Sequence, residues 1–253
     1  MTVRKLSYLF CAVTIALGVL GSVLRSIELN TVFDGVSGLA EPHAPISIFL
    51  GVLSACAAVI CLLFSSRFRG MAVSSDYFKA FSPSSSLFPV AEMLCGVLLC
   101  AASFFMFRSA DGISYKLLSM LALLSGLCII AGPLCMRRSG LNTLFVSLPV
   151  LFGSYYLIVC YRAVAEDPVV LDYIYQFLGM CSALVALYLF AGYAFGSSKP
   201  GKTMFFSHIG AYFGIVSLPD SVPLAHRLIC ISFTAYFLVH SITLASNLEK
   251  SGR

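Results

Sequence analysis

Long apolar runs separated by short polar segments set the rhythm of this chain. The runs cover residues 6–24, 46–64, 87–107, 117–136, 141–161, 169–195, 203–218 and 224–245. Each lies near the ~20 residues that cross a bilayer as a helix. Apolar residues follow one another without strict alternation, which predicts helices rather than the strands of a membrane barrel. The pattern therefore predicts an all-α, polytopic integral membrane helix bundle of about eight transmembrane helices. It reads as a single transmembrane domain over residues 1–253, with no soluble domain. The seventh run is the shortest.

Arg4 and Lys5 precede the first run as in a signal peptide. The run outlasts the roughly 7–15 residues of a signal core, however, and the end GSVLRSI offers no small-x-small cleavage site. It is read as a span.

Composition agrees. Hydrophobic residues make up 59% of the chain and charged residues 11%, where a soluble domain carries about 25%. The basic residues also sort by side. With eight spans, the segments on the side of the N-terminus hold Arg4, Lys5, Arg67, Arg69, Lys79, Arg137, Arg138, Lys199, Lys202, Lys250 and Arg253, eleven of the sixteen Lys and Arg. Cytoplasmic loops collect Lys and Arg, so both termini are expected in the cytoplasm. The short loops and this basic bias suit a plasma membrane, with the bacterial cytoplasmic membrane as the expected setting. The net charge of +5 then reflects topology, and no basic, aromatic-interleaved face predicts a nucleic-acid partner. The ten cysteines all fall within predicted spans, as small apolar fillers rather than a disulfide framework.

GSSKPGKT, residues 196–203, fits the phosphate-loop pattern G-x-x-x-x-G-K-[ST]. That pattern needs a preceding strand and an Asp for magnesium, and here it follows a long apolar helix. It reads as a Pro-Gly turn carrying cytoplasmic lysines, with no ATP expected there. Two loops are long, 25–45 and 65–86, and the second contains FSPSSS, read as a flexible linker into the third span. LGVLSA at 50–55 resembles LGMCSA at 178–183, and LSYLF at 6–10 resembles LNTLF at 141–145. Their offsets differ, so a four-plus-four repeat stays open.

Three ionisable residues fall inside apolar runs: Glu92, His208 and His240. A charge at a span's centre costs roughly 2.5–3.5 kcal/mol on insertion scales, so each calls for a reason. Each sits five or six positions from the cytoplasmic end of its span, ~8 Å deep at a helical rise. Three titratable groups at one depth could line an inner cavity that binds protons, a solute or a metal. Local hydrogen bonding to Ser207, Ser241 and Thr243 is the alternative.

On the other side, Asp167-Pro168 has the form of a helix start, with Arg162 and Asp172 placed to suit helix dipoles. Alternatively Glu166, Asp167 and Asp172 join Glu28, Asp34, Glu41 and Asp220 in an acidic outer vestibule that attracts cations. GYAFG (Gly192, Gly196) and GAYFG (Gly210, Gly214) both give G-x-x-x-G. They are expected to pack spans six and seven together, or to form the face of a homodimer. Pro149, with Gly153 and Ser154, is placed to kink span five and line a cavity.

No nucleophile elbow, H-E-x-x-H or metal-type cysteine pair appears, and no cofactor is implied. The expected partner is the lipid bilayer, with a small solute or cation as ligand. The role that best accounts for these features is a small-solute or ion permease. A non-catalytic sensor or subunit of a membrane complex is the alternative, and a membrane-embedded enzyme a further one.

Overall fold

The computed structural model describes residues 2–33, 39–41, 43–71, 77–83, 85–110, 112–135, 139–165 and 169–251. Among them run nine helices: α1 (Val3–Thr31), α2 (Pro45–Ser66), α3 (Tyr77–Phe81), α4 (Leu87–Arg108), α5 (Ile113–Cys135), α6 (Ser139–Val164), α7 (Val170–Ala194), α8 (Pro200–Val216) and α9 (Leu224–Ser251). Seven are long and apolar enough to cross a membrane. The remaining long helix, α8, is the seventh predicted span and has 17 residues. Apolar side chains such as Val19, Val52, Leu63, Val97, Phe104, Leu151 and Tyr188 point outward and are exposed. Such a largely apolar outer face suits lipid. The chain is a multi-pass membrane helix bundle.

α8 and α9 form its centre. α8 packs on α1, α2, α7 and α9, while α9 packs on α1, α3, α4 and α8. α8 also runs from one end of the bundle to the other. Gly201 at its start lies against Ser65 and Arg69 at the end of α2, and Asp220 just past its end meets Arg25 of α1. Cys11 of α1 lies beside Ser241 of α9, so α1 and α9 are antiparallel. The start of α1 and the end of α9 therefore share one end of the bundle, called here the chain-end side.

Two helices outrun their apolar blocks. α1 continues to Thr31 and carries Arg25 and Glu28 in its extension, both buried. α9 continues past residue 245 and buries Asn247, whose amide donates to the carbonyls of Ala80 (2.8 Å) and Ser82 (2.9 Å). The same bonds anchor the 65–86 segment at the start of FSPSSS, the stretch expected to be a flexible linker. The segment's described part includes α3, with Tyr77, Ala80 and Phe81 buried against the bundle; residues 72–76 and 84 lie outside the described residues. Replacing Asn247 by leucine removes both donors and leaves two carbonyls unpaired. The expected loss is ~1–3 kcal/mol, read as thermal stability of the detergent-purified protein, with proteolysis within 65–86 as a second readout.

The glycines act differently from their pattern. A Cβ at Gly210 would come within 3.3 Å of the Ala183 nitrogen on α7, and one at Gly214 within 2.5 Å of Thr234 Oγ1 on α9. GAYFG thus packs α8 against α7 through Gly210 and against α9 through Gly214. GYAFG does not join it. Gly192 lies against the carbonyl of Ser197, in the turn that follows its own helix, and Gly196 has φ +76 with open space around it. That left-handed residue stops α7, a role in which glycine avoids the Cβ penalty. A closer crossing lies between α4 and α5. A Cβ at Gly96 would fall 2.7 Å from the carbonyl oxygen of Gly126, and one at Gly126 would fall 2.9 Å from that of Gly96.

The phosphate-loop pattern divides between that helix stop and the start of α8. Pro200 occupies the first turn, Gly201 admits the end of α2, and Thr203 Oγ1 donates to the Lys199 carbonyl at 3.0 Å. The nine cysteines whose side chains are described are free thiols.

Candidate functional site

Two of the three intramembrane titratable residues come together. Glu92 lies in the first half of α4, three residues after Pro89, and His240 lies on α9, one turn after Tyr236. His240 Nε2 approaches Glu92 Oε1 at 3.5 Å, with both side chains at least nine-tenths buried. His240 Nδ1 lies 3.2 Å from the Tyr236 carbonyl oxygen. A carbonyl only accepts, so Nδ1 carries the proton of the neutral ring and Nε2 turns a bare lone pair toward the carboxyl. Nε2 has no hydrogen-bond partner. Phe81, Phe190 and Tyr236 surround the imidazole, with ring centroids 5.2, 5.1 and 4.0 Å away. Phe88, Pro89, Pro133 and Thr243 close a small cavity over the pair.

His208 is elsewhere. It stacks on Phe10 with ring centroids 3.5 Å apart, and its Nδ1 lies 2.8 Å from Thr14 Oγ1. Thr14 Oγ1 donates to the Phe10 carbonyl at 2.9 Å, so its oxygen accepts from His208. The expectation of one three-residue cluster is corrected on this point. Depth along a span fixes height, whereas the direction around the helix axis decides the neighbour. His208 looks at α1, while His240 looks at α3, α4 and α7. Among the described residues no group of three or more His, Cys, Asp and Glu could hold a metal ion.

At the opposite end, α1 and α7 meet the α8–α9 connection around Arg25, a fully buried side chain. Its Nε donates to Asp220 Oδ1 at 2.7 Å and its Nη1 to Glu28 Oε2 at 2.7 Å. Nη1 and Nη2 also donate to the carbonyls of Leu171 (3.0 Å) and Asp172 (2.6 Å). The guanidinium carbon lies 5.2 Å from the Tyr175 ring centroid. Burial pushes the Asp220 carboxyl up to about 6, against the opposing pull of Arg25. This arrangement corrects the open vestibule in part: Glu28 and Asp220 are buried partners of one guanidinium. Asp172 is exposed in the first turn of α7, and Glu41 is exposed. Glu166, Asp167 and Asp34 lie outside the described residues. In the sequence Arg25 looks like an ordinary flanking charge. Its spacing of three from Glu28 is the one local sign that the two pair.

Between these charged ends a third feature was not read from the sequence. α6, α7, α8 and α9 surround a narrow cavity lined by one glycine from α6, one from α7 and two from α8: Gly153, Gly179, Gly210 and Gly214. Phe233 and Phe237 form an aromatic wall, and Tyr156, Gln176, Ser217 and Thr234 supply polar groups. Among the described residues no Asp, Glu, Lys or Arg lines it. Tyr156 also meets His226 Nδ1 at 2.7 Å. Along α9 the cavity residues run from Ile229 to Phe237, after Asp220 and before His240. Gly153 does line a cavity, four residues after Pro149 inside α6.

No family model matches the chain. No curated protein and no solved structure matches it either. The reading of function therefore rests on geometry alone.

Proposed function

We propose that the protein is a permease for a small uncharged solute. The observation behind this reading is the cavity among α6–α9, lined among the described residues without a charged side chain. Sites for small molecules are concave, mostly apolar and supplied with a few polar groups, and this cavity has that make-up. A charged solute would enter without a counter-charge, at the cost of burying an unpaired ion. The glycines keep the passage narrow, since several of them stand where a neighbouring helix passes. The side holding both chain ends is the cytoplasmic one in this reading, because the basic loops collect there. A plasma membrane is the proposed setting.

The test is flux into proteoliposomes, with labelled glycerol and urea as uncharged probes and choline as a charged one. Ala183→Phe adds bulk to the cavity wall, whereas Val52→Phe adds it on the exposed outer face. We expect wild type and Val52→Phe to pass an uncharged probe and to exclude choline. Ala183→Phe is expected to fall at least about tenfold, a loss of about 1.4 kcal/mol in the barrier. Equal flux through correctly folded Ala183→Phe would remove the cavity from the pathway. No flux of any probe would favour a non-transporting membrane subunit.

A further inference from the structure

We infer that Glu92 and His240 form a proton-binding site, in which one exchangeable proton is held between Glu92 Oε1 and His240 Nε2. In the permease reading this proton is the driving ion, but the site is argued and tested without that reading.

The geometry leaves a gap that a proton fills. His240 has its Nδ1–H committed to the Tyr236 carbonyl, so Nε2 faces Glu92 as an acceptor. An ionised carboxylate is also only an acceptor. Without a proton between them, two electron-rich atoms would face each other across 3.5 Å in a buried site. One proton on either atom makes a donor and an acceptor of the pair. Uptake of that proton from water takes the pair from net −1 to neutral, and release returns it.

The surroundings favour the neutral form. Among the described residues the cavity wall contains no Lys or Arg to balance an ionised Glu92. The titratable groups facing the pair are the hydroxyls of Tyr77 on α3 and Tyr236 on α9, and the thiol of Cys95 on α4. All three are uncharged near neutral pH. α5 presents Gly132 and Pro133, and α7 presents Phe190. An unpaired buried carboxylate is costly in such a place. The aromatic rings around His240 allow the proton to pass to the imidazole, since their faces attract a cation.

A metal ion suits the site less well. Structural zinc takes four ligands and catalytic zinc three from protein, whereas among the described residues no third His, Cys, Asp or Glu completes this pair. A hard cation such as calcium wants six to eight oxygens. Glu92 and Thr243 are the oxygen-bearing side chains of the cavity wall.

The test is infrared difference spectroscopy of the full chain in nanodiscs during a pH titration, so that the proton itself is the probe. Wild type is expected to show a carboxylic-acid carbonyl band that persists at neutral pH, disappears on further alkalinisation, and is missing in Glu92→Gln. His240→Gln places an amide donor beside the carboxylate, which favours the ionised form. The midpoint should then fall by at least about one pH unit, a tenfold loss of proton affinity. Nitrogen-15 imidazole spectra require no change at Glu92 and cover the case in which Glu92→Gln does not fold. With four histidines in the chain, His208→Gln helps assign the signals, and the His240 Nε2 resonance should shift in step with the carboxyl band. A Glu92 band already lost near about pH 5 would overturn the inference. So would a midpoint that His240→Gln leaves in place, or a His240 resonance that does not follow the carboxyl.

Discussion

Replacing Arg25 by methionine is expected to cost the bundle ~3–5 kcal/mol, because it strands two buried carboxylates without their counter-charge. Glu28 and Asp220 each hold one oxygen on Arg25 at 2.7 Å, and the other oxygen of each has no partner among the described residues. The guanidinium also donates to the carbonyls of Leu171 and Asp172, so its removal unpins α1 from the start of α7 as well. Thermal denaturation in detergent would measure the loss. The penalty should depend on pH with a definite sign. Asp220 already sits at about 6 with Arg25 present, and losing the guanidinium raises it further. An unfolded Asp ionises near about 3.9. The folded variant therefore holds a proton that the unfolded chain has released, and its stability falls as pH climbs from about 4 through the raised value. Arg25→Met should thus be closer to wild type at low pH than at high pH. The triple change Arg25→Met, Glu28→Leu, Asp220→Leu should recover most of the loss, as apolar replacements of buried ion clusters often do. A single variant within ~1 kcal/mol of wild type would mean that water, not Arg25, balances the carboxylates.

The second large effect is expected from one methyl group. Gly96→Ala puts a Cβ 2.7 Å from the Gly126 carbonyl oxygen and 2.6 Å from Ile130 Cγ1. The side chain of Ile130 can turn aside, but the carbonyl belongs to the backbone of α5, so the two helices must separate. Overpacking of this kind costs ~1–3 kcal/mol. It outweighs the ~0.5–1 kcal/mol that alanine gains over glycine inside a helix. Gly51→Ala is the control, since nothing lies within 4 Å of its added Cβ; it should be neutral or slightly stabilising. Equal melting temperatures for Gly96→Ala and Gly51→Ala would show that the α4–α5 crossing has slack.

Much of the fold was legible because a membrane helix advertises itself in composition. A run of apolar residues needs no partner to be recognised, and the predicted blocks correspond to the eight long helices. What composition could not show was any feature that depends on direction around a helix axis. Glu92, His208 and His240 share a depth, yet α8 turns His208 to Phe10 and Thr14 while α9 turns His240 to Glu92. Gly96 and Gly126 each meet the other helix's backbone, so neither needs a second glycine four residues away. Gly192 and Gly196 have that spacing but serve the end of a helix. Arg25 lay past the apolar block and looked like a flanking charge, although its partner Asp220 is 195 positions further on.

That separation has a consequence in time. α1 is made before α8, and an arginine entering the membrane in a helix costs roughly 2.5–3.5 kcal/mol on insertion scales. Glu28, three residues away, leaves the ribosome almost at once and offsets part of this. The other carboxylate follows 195 residues later, or about 10–40 s at synthesis rates of about 5–20 residues per second. Until then Arg25 has neither Asp220 nor the carbonyls at the start of α7. The Arg25 end of α1 is thus held unfinished while six more long helices are laid down. Docking of α8 and its trailing loop closes it, so α1 reaches its final place only after α8 has been made.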